Sequence, residues 1–186
     1  MADNNYFAPG QFIVETMWED YQSMHRTMIK STTEESEYYD RTQYTLDINS
    51  VSTAYTDWVL KKIQALDIPI ESLEPSQSWY IRYQPYGYQT LHNHTNEPDL
   101  ISTTMYFEDR DTTEELPEYL FDSNGCLYTV LSDNNETKIQ CFPPSPGRTI
   151  IMNGNVNHGT YPYKHKRQCL VINFKAKWRK PNELTS

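Results

Sequence analysis

Three of the five histidines of this 186-residue chain stand in a pattern that suits a metal ion. His92 and His94 are one residue apart in Leu91-His92-Asn93-His94, and His158 follows a long gap in Asn157-His158-Gly159, with Arg167 shortly after it. In an extended strand positions i and i+2 share a face, so His92 and His94 can aim at one point. His158 has to reach them from a distant strand. Two close ligands and one remote ligand are how a sheet builds a three-residue facial site, which leaves the remaining coordination positions open for substrate and oxygen.

A sheet domain must therefore surround these residues, and the pattern from Trp79 to Phe174 supplies one. Strands are expected at Trp79 to Tyr83, Tyr88 to His94, Leu100 to Glu108, Tyr119 to Phe121, Cys126 to Leu131, Lys138 to Phe142, Thr149 to Met152 and Gln168 to Lys175. Turn signals separate them at Pro85-Tyr86-Gly87, Asp122 to Gly125, Asp133 to Glu136 and Pro143 to Gly147. About eight strands point to a β-sandwich or jelly-roll barrel. The acidic connection from Asp109 to Pro117 is placed at the mouth of the site, where it favours a cationic or neutral partner.

The residues before this sheet read differently. From Ser50, a plausible N-cap, the apolar positions Val51, Ala54, Tyr55, Trp58, Val59, Ile63 and Leu66 recur every three or four residues, until Pro69 stops the helix. Its stripe needs a partner, and the outer face of a sheet is the natural one. Met17, Tyr21 and Met24 share one side of a shorter candidate helix, Ser31 to Glu37 reads as a solvated loop, and Tyr38 to Ile48 as a candidate strand. The expected organisation is a single domain over 1–186, with helical support in 1–75 and the β core in 76–178. The tail from Trp178 is expected to fray.

Composition narrows the function classes. A formal charge of -9, with no basic run, argues against nucleic acid and anionic membranes as partners. Cys126, Cys141 and Cys169 are an odd number without CxxC spacing, which suits reduced thiols in a cytosolic setting. No window is apolar enough to span a bilayer and the N-terminus lacks a signal-peptide pattern, so a cytoplasmic location is expected, the host cytoplasm if the chain is phage-encoded. The 15 tyrosines read as barrel core and rim rather than as a platform for bases.

Several of these features together resemble the 2-oxoglutarate and Fe(II)-dependent oxygenases of bacteria and phages. They are the His-x-His, the run Leu100-Ile101-Ser102 with the aromatics Tyr106 and Phe107 after it, the Pro146-Gly147 turn, the His158-Gly159 pair, and Arg167 followed by Asn173. The resemblance covers roughly Trp79 to Phe174 and implies a double-stranded β-helix, a form of jelly roll. It implies that His92, His94 and His158 hold Fe(II), with His94 where most such enzymes carry Asp or Glu. It also implies that Arg167 pairs with the 5-carboxylate of 2-oxoglutarate, that Ser102 and Tyr106 belong to the strand after the His-x-His, and that Asn173 is a recurrent polar position in the last strand. Thr103 replaces a usual Gly, and Met152-Asn153 a usual Phe-Pro.

The chemistry asks for the same residue types. Neutral imidazoles suit a divalent first-row metal, and a guanidinium stays charged while pairing bidentately with a carboxylate. Tyr83, Tyr88 and Thr104 are candidates to line the same cavity, and Glu97 or Asp99 stands as an alternative acid to His94. Alone, a His-x-His is more often structural than metal-binding, and a lone Arg is most often a surface charge. The distal His-Gly and the interval to Arg167 are what favour a site.

The leading expectation is an Fe(II)/2-oxoglutarate-dependent dioxygenase that hydroxylates an unidentified substrate. A cupin-like three-His iron dioxygenase without 2-oxoglutarate is the second. A non-catalytic jelly-roll protein, forming a homo-oligomer or meeting a phage-assembly partner through sheet edges and faces, is the third.

Overall fold

A computed structural model describes residues 4–8, 10–97, 99–108, 125–133 and 136–179. The first strands, β1 (Asn4–Ala8) and β2 (Gln11–Met17), form a hairpin. After them come α1 (Tyr21–Lys30), β3 (Thr32–Glu37), β4 (Arg41–Leu46), α2 (Thr53–Gln64) and the long β5 (Ile70–Tyr83). The remaining strands are β6 (Gln89–His92), β7 (Leu100–Tyr106), β8 (Leu127–Asp133), β9 (Glu136–Phe142), β10 (Arg148–Asn153), β11 (Asn157–Thr160) and β12 (Arg167–Trp178).

These strands form two antiparallel sheets. The larger has the order β1-β2-β10-β7-β12-β5-β4-β3 and the smaller β6-β11-β8-β9. The last eight strands divide between the sheets in the pattern of a double-stranded β-helix: β5, β7, β10 and β12 at the centre of the large sheet, β6, β8, β9 and β11 making the small one. The mainly β jelly-roll fold expected from the strand pattern is the fold observed.

The central strands of the large sheet are covered on both faces, and they divide their side chains accordingly. Ile150, Met152 and Cys169 point between the sheets with Tyr83, Tyr106, Leu127, Leu131 and Phe142. Ile151, Leu170, Ile172 and Phe174 point the other way, against Met24 and Met28 of α1 and Tyr55, Val59 and Ile63 of α2. Every residue of β7 is buried. The helix stripe read from the sequence thus covers the outer face of the large sheet, which separates a mainly apolar layer from the inter-sheet layer where polar chemistry can sit.

Several elements depart from expectation for identifiable reasons. The first 75 residues supply strands β1 to β4 and the start of β5 as well as two helices. The stretch from Ser31 to Glu37 is not a loop but contains the edge strand β3. An edge strand exposed along nearly its whole length can be built from Thr, Glu and Ser, and charge there blocks further pairing. Pro75 is accommodated inside β5: β4 pairs only with the Trp79–Tyr83 end, so on that side Pro75 has no ladder to supply with an N–H. The short helix begins at Tyr21 instead of Met17, because Met17 is still paired with Arg148 in the sheet.

Helix α2 is capped by Ser52, whose hydroxyl accepts the Tyr55 N–H, and Ser50 lies in the short turn just before it. Trp178 is the end of β12, its indole N–H donating to Asp99. The three cysteines are free thiols. The expected strand at Tyr119 to Phe121 and the acidic connection Asp109 to Pro117 lie outside the described residues. No helix among the described residues is long and apolar enough to cross a membrane.

Strand β11, which the sequence pattern did not announce, is the small sheet's link to the histidines. It lies between β6 and β8, and Gly159 permits the close approach: a Cβ there would meet the Gln89 carbonyl oxygen at 2.8 Å and the Tyr128 hydroxyl at 2.6 Å. Gly159→Ala should therefore force β6 away from β11, at the roughly 1–3 kcal/mol typical of overpacking. Thermal unfolding should register this as a Tm lowered by about 2–10 °C, given the usual sensitivity of chains this long.

Candidate metal and carboxylate site

His92 and His158 are cross-strand partners in the β6–β11 pair, so register alone brings them together, with ring centroids 4.2 Å apart. His94 lies just beyond the end of β6. Its backbone N–H donates to the Gly154 carbonyl at 2.7 Å, and its ring centroid is 5.4 Å from each of the other two. One nitrogen of each imidazole lies within 4.8 Å of the others, and no Asp, Glu or Cys joins this cluster among the described residues. Of the alternative acids, Asp99 accepts the Trp178 indole N–H and Glu97 is exposed. The structure therefore groups His94, not either carboxylate, with the other two histidines.

The tautomers follow from hydrogen bonds. His92 Nδ1 is 2.9 Å from the Thr90 carbonyl and His158 Nδ1 is 2.9 Å from the Val156 carbonyl. A carbonyl only accepts, so each Nδ1 carries the proton and each Nε2 keeps its lone pair. In both cases the partner is the backbone two residues upstream, which fixes the ring without help from another side chain. Burial, and then His92, push the His158 imidazole down to about 3, against the opposing pull of its bond to Val156. Burial and His92 also lower His94. Neutral, oriented imidazoles are the form that binds a divalent metal.

The histidines open into a cavity of about 250 Å³ between the sheets, lined also by Tyr83, Gln89, Ser102, Thr104, Cys169 and Val171. Arg167 does not itself line the cavity but stacks on a residue that does. It is 2% exposed, with its guanidinium carbon 4.2 Å over the Tyr83 ring and Nη1 donating to the carbonyls of Gly125 at 2.5 Å and Tyr161 at 3.1 Å. The remaining donors, Nε and Nη2, are buried without a hydrogen-bond partner among the described residues, as is the Tyr106 hydroxyl. Leaving such groups unmet costs about 1–3 kcal/mol each, more for a charged one. A buried cation with two free donors in a fork is the shape a carboxylate fills. Burial raises the Tyr83 hydroxyl to about 12 and raises Tyr106 as well, so both remain donors.

The other sequence candidates fall into two groups. Tyr83 and Thr104 line the cavity. Asn173, opposite Ser102 on β12, is buried on the same side of the sheet but is not among the lining residues, and its amide donates to Gln77 at 3.3 Å. Tyr88 lies on a second hollow of about 370 Å³ with Tyr38, Tyr39 and Arg41, which shares Gln89 and His92 with the first. Gln89 was not singled out from sequence, yet its amide reaches both Tyr83 and His92. The one available signal was its position three residues before His92.

No protein-family model matches the chain and no curated protein sequence matches it. Solved structures share its fold at low identity. A Pseudomonas putida prolyl-4-hydroxylase superposes with a TM-score of 0.56 at 14% identity, over 89% of this chain and 92% of its own. HygX from Streptomyces hygroscopicus, solved with nickel, 2-oxoglutarate and hygromycin B, gives 0.60 at 10% identity over 89% and 82%. AviO1 from Streptomyces viridochromogenes gives 0.61 at 11% identity over 91% of each chain.

Two outcomes test the site. His158→Ala should abolish binding of Co(II), read from its visible absorption, whereas wild type takes up one equivalent. In the metal-free protein, an unfolded His158 gains a proton below its ordinary 6.5 that the folded one refuses until about 3. Stability should therefore fall as pH drops through that window. His158→Gln should flatten the decline of Tm with pH.

Proposed function

We propose that the chain is an Fe(II)- and 2-oxoglutarate-dependent oxygenase, in which His92, His94 and His158 hold the iron and Arg167 anchors the far carboxylate of the co-substrate. The observation that carries this reading is the pairing of a three-imidazole cluster with a buried arginine whose Nε and Nη2 have no acceptor among the described residues. The likeness in fold to HygX, which was solved with nickel and 2-oxoglutarate, supports it. Iron at this site, with 2-oxoglutarate and dioxygen, supplies the oxidising chemistry that hydroxylates a C–H bond.

The chain's own residues then have definable tasks. The Thr90 and Val156 carbonyls hold the Nδ1 sides of His92 and His158, which leaves Nε2 of each ring as the nitrogen for the metal. Arg167 and the Tyr83 hydroxyl receive the distal carboxylate, and the aliphatic and thiol walls at Val171 and Cys169 enclose the chain of the oxo acid. Burial lifts Cys169 to about 11, so it stays a thiol and does not compete for the metal. A cavity of about 250 Å³ lies below the roughly 300–1,000 Å³ of pockets for drug-sized ligands, which suits a small co-substrate. A larger prime substrate would rest across the mouth, where the tyrosine-lined hollow adjoins His92.

A second reading, iron dioxygenase chemistry on three histidines without an oxo acid, is favoured by the lack of any carboxylate in the cluster among the described residues. One titration separates the two. Anaerobic addition of 2-oxoglutarate to the Fe(II)-loaded protein should produce the weak visible charge-transfer band of a chelated oxo acid. Arg167→Lys, which keeps charge but loses the fork, should weaken 2-oxoglutarate about 10–100-fold, the worth of one or two charged hydrogen bonds. Iron binding without the band would favour the second reading.

A further inference from the structure

The Gln89 side chain occupies a position that neither the metal cluster nor the carboxylate pocket accounts for alone. Its Oε1 accepts from the Tyr83 hydroxyl at 3.2 Å, and its Nε2 is 3.2 Å from Nε2 of His92. Since His92 Nδ1 is already committed as donor to Thr90, His92 Nε2 is the acceptor in that second contact. One planar amide therefore holds the lone pair of a candidate metal ligand at one end and the hydroxyl of a candidate carboxylate donor at the other. On its far side Tyr83 meets Arg167, whose guanidinium lies 4.2 Å over the ring. The result is a continuous path from His92 through Gln89 and Tyr83 to Arg167.

The stem of Gln89 is fixed. Its backbone N–H donates to Thr160 Oγ1 at 2.8 Å, it pairs with Thr160 across the β6–β11 ladder, and its carbonyl packs where a Cβ on Gly159 would stand. Only the amide can move. A cation that takes the Nε2 lone pair of His92 must displace the Gln89 N–H, and a carboxylate that takes the Tyr83 hydroxyl must displace the Gln89 carbonyl. Because both contacts belong to one rigid amide, whichever ligand arrives first breaks the bridge. The second then displaces an amide that is already free.

Resting on the oxygenase reading, we infer that Gln89 is a positioning residue that couples the two halves of the site, so that filling the carboxylate pocket tightens the metal and filling the metal site tightens the carboxylate. The coupling is reciprocal by linkage, and its size is bounded by the net worth of about one hydrogen bond, roughly a 3–10-fold change in affinity. Gln89 touches no reacting atom in this scheme. Its effect lies in the order and cost of assembly.

The test is a Co(II) titration, followed by visible absorption and by calorimetry, with and without saturating glutarate. Glutarate has the two carboxylates but no 2-oxo group, and any direct contact it makes with the cation is common to all the proteins compared. Gln89→Leu keeps the volume and removes the amide; Gln89→Asn keeps an amide too short to span both partners. Both variants should bind Co(II) about 3–10-fold tighter than wild type without glutarate, and glutarate should then tighten Co(II) by a correspondingly smaller factor. A purely space-filling role would leave Gln89→Leu unchanged and would not alter the glutarate factor in Gln89→Asn. If wild type binds Co(II) and glutarate but the factor is the same in all three proteins, the coupling is overturned and the oxygenase reading stands. If glutarate does not affect Co(II) in wild type, the coupling is overturned while the metal cluster survives. If wild type binds no Co(II), both fall together.

Discussion

The register between β6 and β11 is the constraint on which the rest of the site depends. It sets His158 opposite His92, and a shift of one residue would turn one of the two rings to the other face of the small sheet. The register is held from both sides: β8 pairs residue by residue with β11, and the Gly154 carbonyl receives the His94 N–H where β6 ends. Gly159 lets β6 close on β11. The histidine cluster is thus a product of sheet geometry more than of the His-x-His spacing, which places only two rings and leaves the third to the ladder.

Around that ladder the fold separates two environments. The helices α1 and α2 cover one face of the large sheet with a mainly apolar layer that packs against the centre of β7, β10 and β12. The opposite face of that sheet carries Tyr83, Thr104, Ser102 and Cys169 into the cavity, with Arg167 stacked on Tyr83. Thr103, facing the helical side, bonds the Ile172 carbonyl at 3.1 Å, while Arg167 is left with donors to spare. A buried guanidinium with two donors unmet among the described residues is a place where an anion can be received.

The neutral three-imidazole cluster changes the electrostatics that a carboxylate-containing site would have. A divalent cation held by three neutral ligands keeps its full charge, so anionic co-ligands bind it more strongly than they would a partly neutralised centre. The buried Arg167, stacked on the cavity-lining Tyr83, adds positive charge beside the cavity. Under the proposed oxygenase reading both would favour a dicarboxylate between them, and the 250 Å³ enclosure is in keeping with a ligand of that size.

What was legible from the sequence was whatever local periodicity encodes. The amphipathic helix, the alternating strands of the β core, the jelly-roll class and the shared face of the His-x-His follow from side-chain spacing of 3.6 or 2, whereas the distal His-Gly is read from residue type and from the family resemblance. Edge strands escaped that reading because β3 buries almost nothing, and β11 escaped because Asn157-His158-Gly159-Thr160 is polar and only four residues long. Pro75 is tolerated within β5 because of which neighbour the strand lacks at that point, a matter of pairing and not of local sequence. The grouping of His94, rather than Glu97 or Asp99, with the other two histidines was decided by tertiary structure alone, since the turn after β6 and the bond to Gly154 aim one side chain inward and leave the acids outward or engaged with Trp178. Gln89 belongs to the same class. Its bridge exists because β5 and β6 bring Tyr83 and His92 to the two ends of one amide, and such a coincidence of distances between separate strands is written in no single stretch of chain.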